Sequence, residues 1–221
     1  MAAVKMDMEQ ARFNMIEQQI RPWEVLDSEV LGILAVVKRE DFVPDALKAL
    51  AFADLELPIG NGQTMLQPKI EARILQEVTI RNTDIVLQVG TGSGYMAALL
   101  ASKAEYVYSV EIDPQLAENA RHTLQRTGVA NVSVETGDAS QGWPVHSPYD
   151  VIVISGSLPE LPEAFLQQLK IGGRLAAFIG EPPVMDARLI IRTDEQAFNT
   201  INLFETVVAA LTTRKRQSFV F

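Results

Sequence analysis

Three short stretches carry residue types that could do chemistry: Gly90-Thr-Gly-Ser-Gly94, Glu111 and Gly137-Asp138-Ala139. The glycine run directly follows the apolar Ile85-Val-Leu-Gln-Val89 and opens a helical stretch. Lacking β-carbons, such a loop can turn tightly and let its backbone approach a ligand, while the helix start offers unpaired N–H groups. It is therefore a seat for a polar group. It is not the dinucleotide fingerprint G-x-G-x-x-G, because the sixth position is Tyr95. No Gly-Lys-Ser/Thr follows to make a phosphate-binding P-loop, and Thr91 stands where a serine nucleophile elbow needs its first glycine. Glu111 lies about 20 residues further on, at the end of the next apolar run, where a carboxylate can accept from both hydroxyls of a ribose.

These residues need strand ends to hold them, and the chain supplies strands from residue 84 onward. Short Val- and Ile-rich runs at 85–89, 106–110, 132–134, 151–154 and 175–179 alternate with helical segments at 95–102, 113–127 and 162–170, the pattern of βαβ units and a parallel sheet. Residues 188–193 and 203–212 read as further strands that make the sheet mixed. Before residue 80 the pattern is helical: an amphipathic segment over 8–20, a second helix capped by Asp27-Ser28, and a third over 45–52. The stretch 57–68, with two prolines and two glycines, reads as a loop before a helix at 69–78. The fold expected is α/β, a doubly wound, Rossmann-like seven-stranded mixed sheet. One domain, 1–221, would divide into a helical cap and substrate loop, 1–80, and a cofactor-binding core, 81–221.

Composition narrows the partners. A net charge of −9 disfavours nucleic acid, and Arg214-Lys215-Arg216 is the one basic cluster that could oppose it. There is no cysteine and there are two histidines, His122 and His146, so no metal centre is expected. No apolar run is long enough to span a membrane, and Lys5, Asp7 and Glu9 stand where a secretory leader would be apolar. A cytoplasmic protein follows as the expectation. A monomer is expected, with a dimer through the N-terminal helix as the alternative, since periodicity does not say what its apolar face meets.

The glycine loop, Glu111 and Asp138 together resemble the motifs of class I methyltransferases. Arg39-Glu-Asp-Phe-Val-Pro44, Leu57-Pro-Ile-Gly-Asn-Gly-Gln-Thr64, Gln67-Pro68, Gly142-Trp-Pro144 and Gln168 to Leu175 extend the likeness. In order and spacing they resemble the protein-L-isoaspartate O-methyltransferases over roughly residues 30–180. That resemblance implies S-adenosyl-L-methionine as cofactor and isoaspartyl residues of damaged proteins as substrate, methylated on their carboxyl group in protein repair. It implies cofactor contacts at Gln88, Gly90, Thr91, Gly92, Ser93, Glu111, Ile112, Asp138 and Ala139, and at Thr212 and Gln217 in the tail.

Three positions depart from the family pattern. Leu66 occupies the place of a serine hydroxyl that touches the isoaspartyl carboxylate, with Thr64 the nearest other hydroxyl in the loop. Gln88 replaces an acid common near the cofactor's ammonium group, and Lys69 replaces an aromatic residue or histidine. Because of Leu66, two alternatives stay open: a methyltransferase of the same family with another acceptor, or a non-catalytic module that binds S-adenosylmethionine.

Overall fold

The computed structural model describes residues 7–213. Its first helix, α1 (Met8–Met15), starts at Asp7, whose carboxylate accepts from the Glu9 and Gln10 N–H groups, and widens into a π-helical turn over Ile16–Ile20. Met15, Ile16 and Ile20 are buried in the chain's own core, so this face packs within its own domain, where the Ile16–Ile20 turn meets the helices over 28–36 and 68–77. Asp27 caps α2 (Ser28–Val36) as expected. The segment expected as a third helix is a 3-10 helix over Asp45–Leu50, a form suited to a stretch this short starting at Pro44.

The expected loop at 57–68 is in part a β-hairpin. β1 (Leu57–Gly60) pairs antiparallel with β2 (Gln63–Met65), and the two residues between them, Asn61 (φ 50°) and Gly62 (φ 74°), are both left-handed. Asn-Gly is the strongest short-range hairpin signal, because both residues tolerate that backbone. The prolines hid it, yet Pro58 is harmless in a two-stranded ribbon, where every strand is an edge. Pro68 then opens α3 (Pro68–Glu77).

Beyond α3 the alternation read from the sequence appears as β3 (Ile85–Val89), α4 (Tyr95–Ala101), β4 (Tyr106–Glu111), α5 (Pro114–Arg126) and β5 (Val132–Thr136). β6 (Tyr149–Leu158), α6 (Glu163–Gln167), β7 (Leu169–Glu181), β8 (Val184–Arg192) and β9 (Phe198–Thr206) complete it. The sheet order is β5-β4-β3-β6-β7-β8-β9, parallel through β7 and antiparallel beyond. Val151 to Ile154 of β6 are 0–2% exposed, as a strand covered on both faces requires. All of α4 is buried, whereas α5 turns only Leu116, Ala117, Ala120 and Leu124 inward. Each such leucine contributes about 1.5–3 kcal/mol relative to exposure.

Two boundaries differ from expectation in ways that shape the site. α6 ends at Gln167 and not at 170, because Leu169 pairs with Tyr149 and begins β7. The last strand is 198–206 and not 203–212. Met185 opposite Thr206 is the final pair of the β8–β9 ladder, so the chain leaves the sheet at Val207. It then crosses to the end of β6, where Ser157 donates to the Ala209 carbonyl at 2.9 Å and accepts from the Leu211 N–H at 2.9 Å. The resulting strap, residues 207–213, lies over the carboxyl ends of the strands.

Candidate active site

The strand order reverses direction on the two sides of β3, and at such a switch point the carboxyl ends of the strands open into a crevice. The glycine loop sits there. Gly90 (φ 85°) and Gly92 (φ 53°) adopt backbone that side chains rarely tolerate, and the space above them is closely framed. A β-carbon on Gly92 would come within 3.1 Å of Ile59 Cδ1, and one on Gly90 within 3.3 Å of Leu211 Cδ1. The hairpin and the strap thus form two walls of the cleft and the loop its floor. The Glu111 carboxylate, 6% exposed, accepts from the Gly92 N–H at 2.9 Å and the Asp113 N–H at 3.0 Å. A carboxylate offers about four acceptor sites, so two remain for a diol.

Gln88 lies wholly buried beneath the loop. Its Nε2 donates to the Gly90 carbonyl at 2.7 Å and to Ser155 Oγ at 3.0 Å, while its Oε1 accepts from the Ser109 hydroxyl. Thr91 Oγ1 meets Ser109 Oγ at 2.5 Å. The amide therefore braces the loop from below. Sequence reasoning missed Ser155, which lines the cleft at the end of β6. Its position at a strand's carboxyl end, level with the glycine loop, was the available signal.

The hairpin is tied down on both sides. Asn61 Nδ2 donates to Asp113 Oδ2 at 2.9 Å, and Gln63 Nε2 donates to Thr212 Oγ1 at 3.1 Å. Thr64 and Leu66 both line the cleft, but the Thr64 hydroxyl donates to Glu56 Oε2 at 3.0 Å, across the hairpin. Leu66 is 8% exposed, and its carbonyl accepts from Arg39 Nη2 at 2.6 Å. Lys69 pairs with Asp54 at 2.6 Å and stands 4.8 Å from the Trp23 ring centre, so it is engaged in the cap.

Under the cleft wall Arg39 makes an ion pair with Glu71, and Arg12 makes another with Glu40, all four being buried. Burial pushes the Glu71 carboxyl up from its ordinary 4.5 to about 7, against the pull of the Arg39 guanidinium. Burial likewise raises the Tyr95 phenol, whose ring lies 5.1 Å from the Arg39 guanidinium.

Of the other positions singled out in the sequence, Ser93, Ile112 and Ala139 line the cleft with Gly90, Thr91 and Gly92. Asp138 lies between the cleft residues Gly137 and Ala139, and its Oδ1 accepts from the Ser140 N–H at 2.9 Å. Gln217 and the basic cluster 214–216 lie outside the described residues. The histidines stand apart, His122 beside Glu118 on α5, and His146 stacked on Tyr108 with its ring bonded to Glu135 at 2.6 Å.

A mixed seven-stranded sheet with a glycine loop and a strand-end acid around one cleft defines a class I methyltransferase-type domain. The chain belongs to the protein-L-isoaspartate(D-aspartate) O-methyltransferase family, whose model matches residues 10–216. It is 43% identical over 183 residues to the protein-L-isoaspartate O-methyltransferase of Methanoculleus marisnigri, covering 83% of each chain. With that of Syntrophus aciditrophicus it shares 39% over 184 residues, 83% of this chain and 84% of the other. A solved structure described as a protein-L-isoaspartate O-methyltransferase superposes with a TM-score of 0.77 at 27% identity, over 92% of this chain and 65% of that one. A Plasmodium falciparum structure described as a beta-aspartate methyltransferase in complex with S-adenosyl-L-homocysteine has the same fold, with a TM-score of 0.77 at 19% identity, over 94% of this chain and 99% of that one.

Proposed function

We propose that this chain is an S-adenosylmethionine-dependent protein-L-isoaspartate O-methyltransferase that methylates the carboxyl group of isoaspartyl residues in damaged proteins. The observation that carries the reading is the cleft itself: a glycine cradle, a diol-competent Glu111 and the hairpin residues Thr64 to Leu66 all face one space, in a chain of this family.

The cleft fits the cofactor. Glu111 would accept from the ribose hydroxyls, Ile112 and Asp138-Ala139 would flank the adenine, and the loop from Gly90 to Ser93 would hold the methionine portion. Thr212, on the strap, would close over it. When bound, the cofactor supplies a methyl group activated by a positively charged sulfur. The accepting carboxylate has an ordinary pKa of roughly 4 and is already ionised near neutrality, so the chain need not provide a general base. Its task is to hold that carboxylate in line and keep water out, which can be worth several kcal/mol. Ile59, Met65, Leu66 and Leu211 give the cleft the apolar walls for this.

The reading includes a monomer with residues 1–80 as a cap on one methyltransferase domain, and a cytoplasmic location. Among the described residues no helix is long and apolar enough to cross a membrane. The net charge of −9 weighs against nucleic acid as a partner.

The test is methyl transfer from labelled S-adenosylmethionine to an isoaspartyl peptide, with the aspartyl isomer as control and Leu66→Ser beside the parent. Transfer by the parent to the isoaspartyl form alone is expected. Transfer by Leu66→Ser but not by the parent would mean that the natural acceptor is another molecule.

A further inference from the structure

The hydrogen-bond directions beneath the glycine loop can be read without ambiguity. A backbone carbonyl only accepts, so the Gln88 atom 2.7 Å from the Gly90 oxygen is the amide nitrogen, and the Gln88 oxygen faces Ser109. Ser109 has one hydroxyl hydrogen and gives it to that oxygen. In the 2.5 Å contact between Thr91 and Ser109, Thr91 is therefore the donor. The second hydrogen of the Gln88 amide goes to Ser155 Oγ at 3.0 Å, so Ser155 accepts there. Its own hydroxyl hydrogen has no acceptor among the described residues, and Ser155 lines the cleft.

We propose that Ser155 is a substrate-holding residue: its hydroxyl, oriented by Gln88, donates a hydrogen bond to the methyl-accepting carboxylate in place of the hydroxyl that Leu66 lacks. The inference rests on the isoaspartyl reading above. Position supports it. Across the sheet edge the order is Ala139 after β5, Glu111 on β4, Gly90 after β3 and Ser155 on β6. A nucleoside laid from Ala139 to Glu111 sends its reactive end past Gly90 toward Ser155, whose Cβ would lie 3.7 Å from a β-carbon on Gly90. Thr64 cannot serve from its present rotamer, because its hydrogen goes to Glu56. Chemistry supports it as well: an acid in place of Gln88 would accept the Ser155 hydrogen, whereas the amide donates and leaves that hydrogen to the cleft. The two departures at positions 66 and 88 thus become complementary.

The experiment compares the parent with Ser155→Ala, Ser155→Thr and Gln88→Glu. It measures S-adenosylhomocysteine binding by calorimetry and steady-state transfer to an isoaspartyl peptide. Ser155→Ala is expected to lower kcat/KM for the peptide by about 10- to 100-fold, the range for one hydrogen bond to a charged group, while S-adenosylhomocysteine binds as before. Ser155→Thr should keep most of the activity, and Gln88→Glu should lose it in the peptide KM. Parent-like kcat/KM in Ser155→Ala would overturn the assignment. A loss falling on S-adenosylhomocysteine affinity would overturn it too, moving the donor to the cofactor's own carboxylate. A parent that binds S-adenosylhomocysteine yet transfers nothing to the isoaspartyl peptide would overturn the proposed function, and this assignment with it.

Discussion

Arg39 donates from Nη2 to the carbonyl of Leu66 at 2.6 Å, so a wholly buried guanidinium fixes the backbone of a residue that lines the cleft. The same group donates through Nε to the Ala51 carbonyl at 3.0 Å and through Nη1 to Glu71 on α3. One planar fork thereby ties Arg39 to Ala51, to Leu66 just after the hairpin and to Glu71 on α3.

Replacing Arg39 by leucine would leave Glu71 buried without its counter-charge. A loss of about 3–5 kcal/mol in urea unfolding is expected, and a smaller loss for Arg39→Lys, which keeps the charge but not the fork. A change below about 1 kcal/mol in Arg39→Leu would show that apolar packing alone holds the hairpin base.

Stability should fall with rising pH through Glu71. Its folded-state pKa of about 7 lies above the ordinary 4.5, so the folded protein binds the proton more tightly than the unfolded chain. This contribution is complete below pH 4.5 and lost as pH rises through about 7. Against Glu71→Gln, which cannot titrate, the parent should lose stability on the order of 3 kcal/mol over that window, at about 1.4 kcal/mol per pKa unit. Parallel stability–pH curves for the two proteins would contradict the shift.

Gly92→Ala should weaken S-adenosylhomocysteine binding at least about tenfold. The new methyl would meet Ile59 Cδ1 at 3.1 Å and the backbone would be held at φ 53° against its preference. Calorimetric titration checks this, and an unchanged affinity would mean that the loop is not the cofactor's floor.

Glu111→Ala removes the diol acceptor and leaves the Gly92 and Asp113 N–H groups without theirs. S-adenosylhomocysteine affinity is expected to drop by about 10- to 100-fold. An equal drop for a 2′,3′-dideoxyribose analogue with the parent and the variant would argue that Glu111 shapes the loop without touching the ribose.

The glycine loop and Glu111 were legible because local rules govern them: a loop that needs positive φ must be glycine, and an acid at a strand end is visible from its spacing. The parallel core was legible for a similar reason, since strands buried on both faces write continuous apolar runs. The hairpin at 57–65 was written locally too, in Asn61-Gly62, but neighbouring prolines outweighed it. The last strand was misplaced because its end depends on where β8 begins, and no local signal in 203–212 carries that.

The sequence by itself determined the class of fold, the glycine loop and the family, since strand–helix alternation, a run of glycines and collinear motifs over roughly residues 30–180 are all written in residue type and spacing. Tertiary structure alone decided which hydroxyls face the cleft with a hydrogen to give. Thr64 spends its proton on Glu56 and Ser155 keeps its own because Gln88, 67 residues away along the chain, donates to it. Hydrogen-bond direction is set by partners in space, and partners from different strands meet only once the sheet has formed.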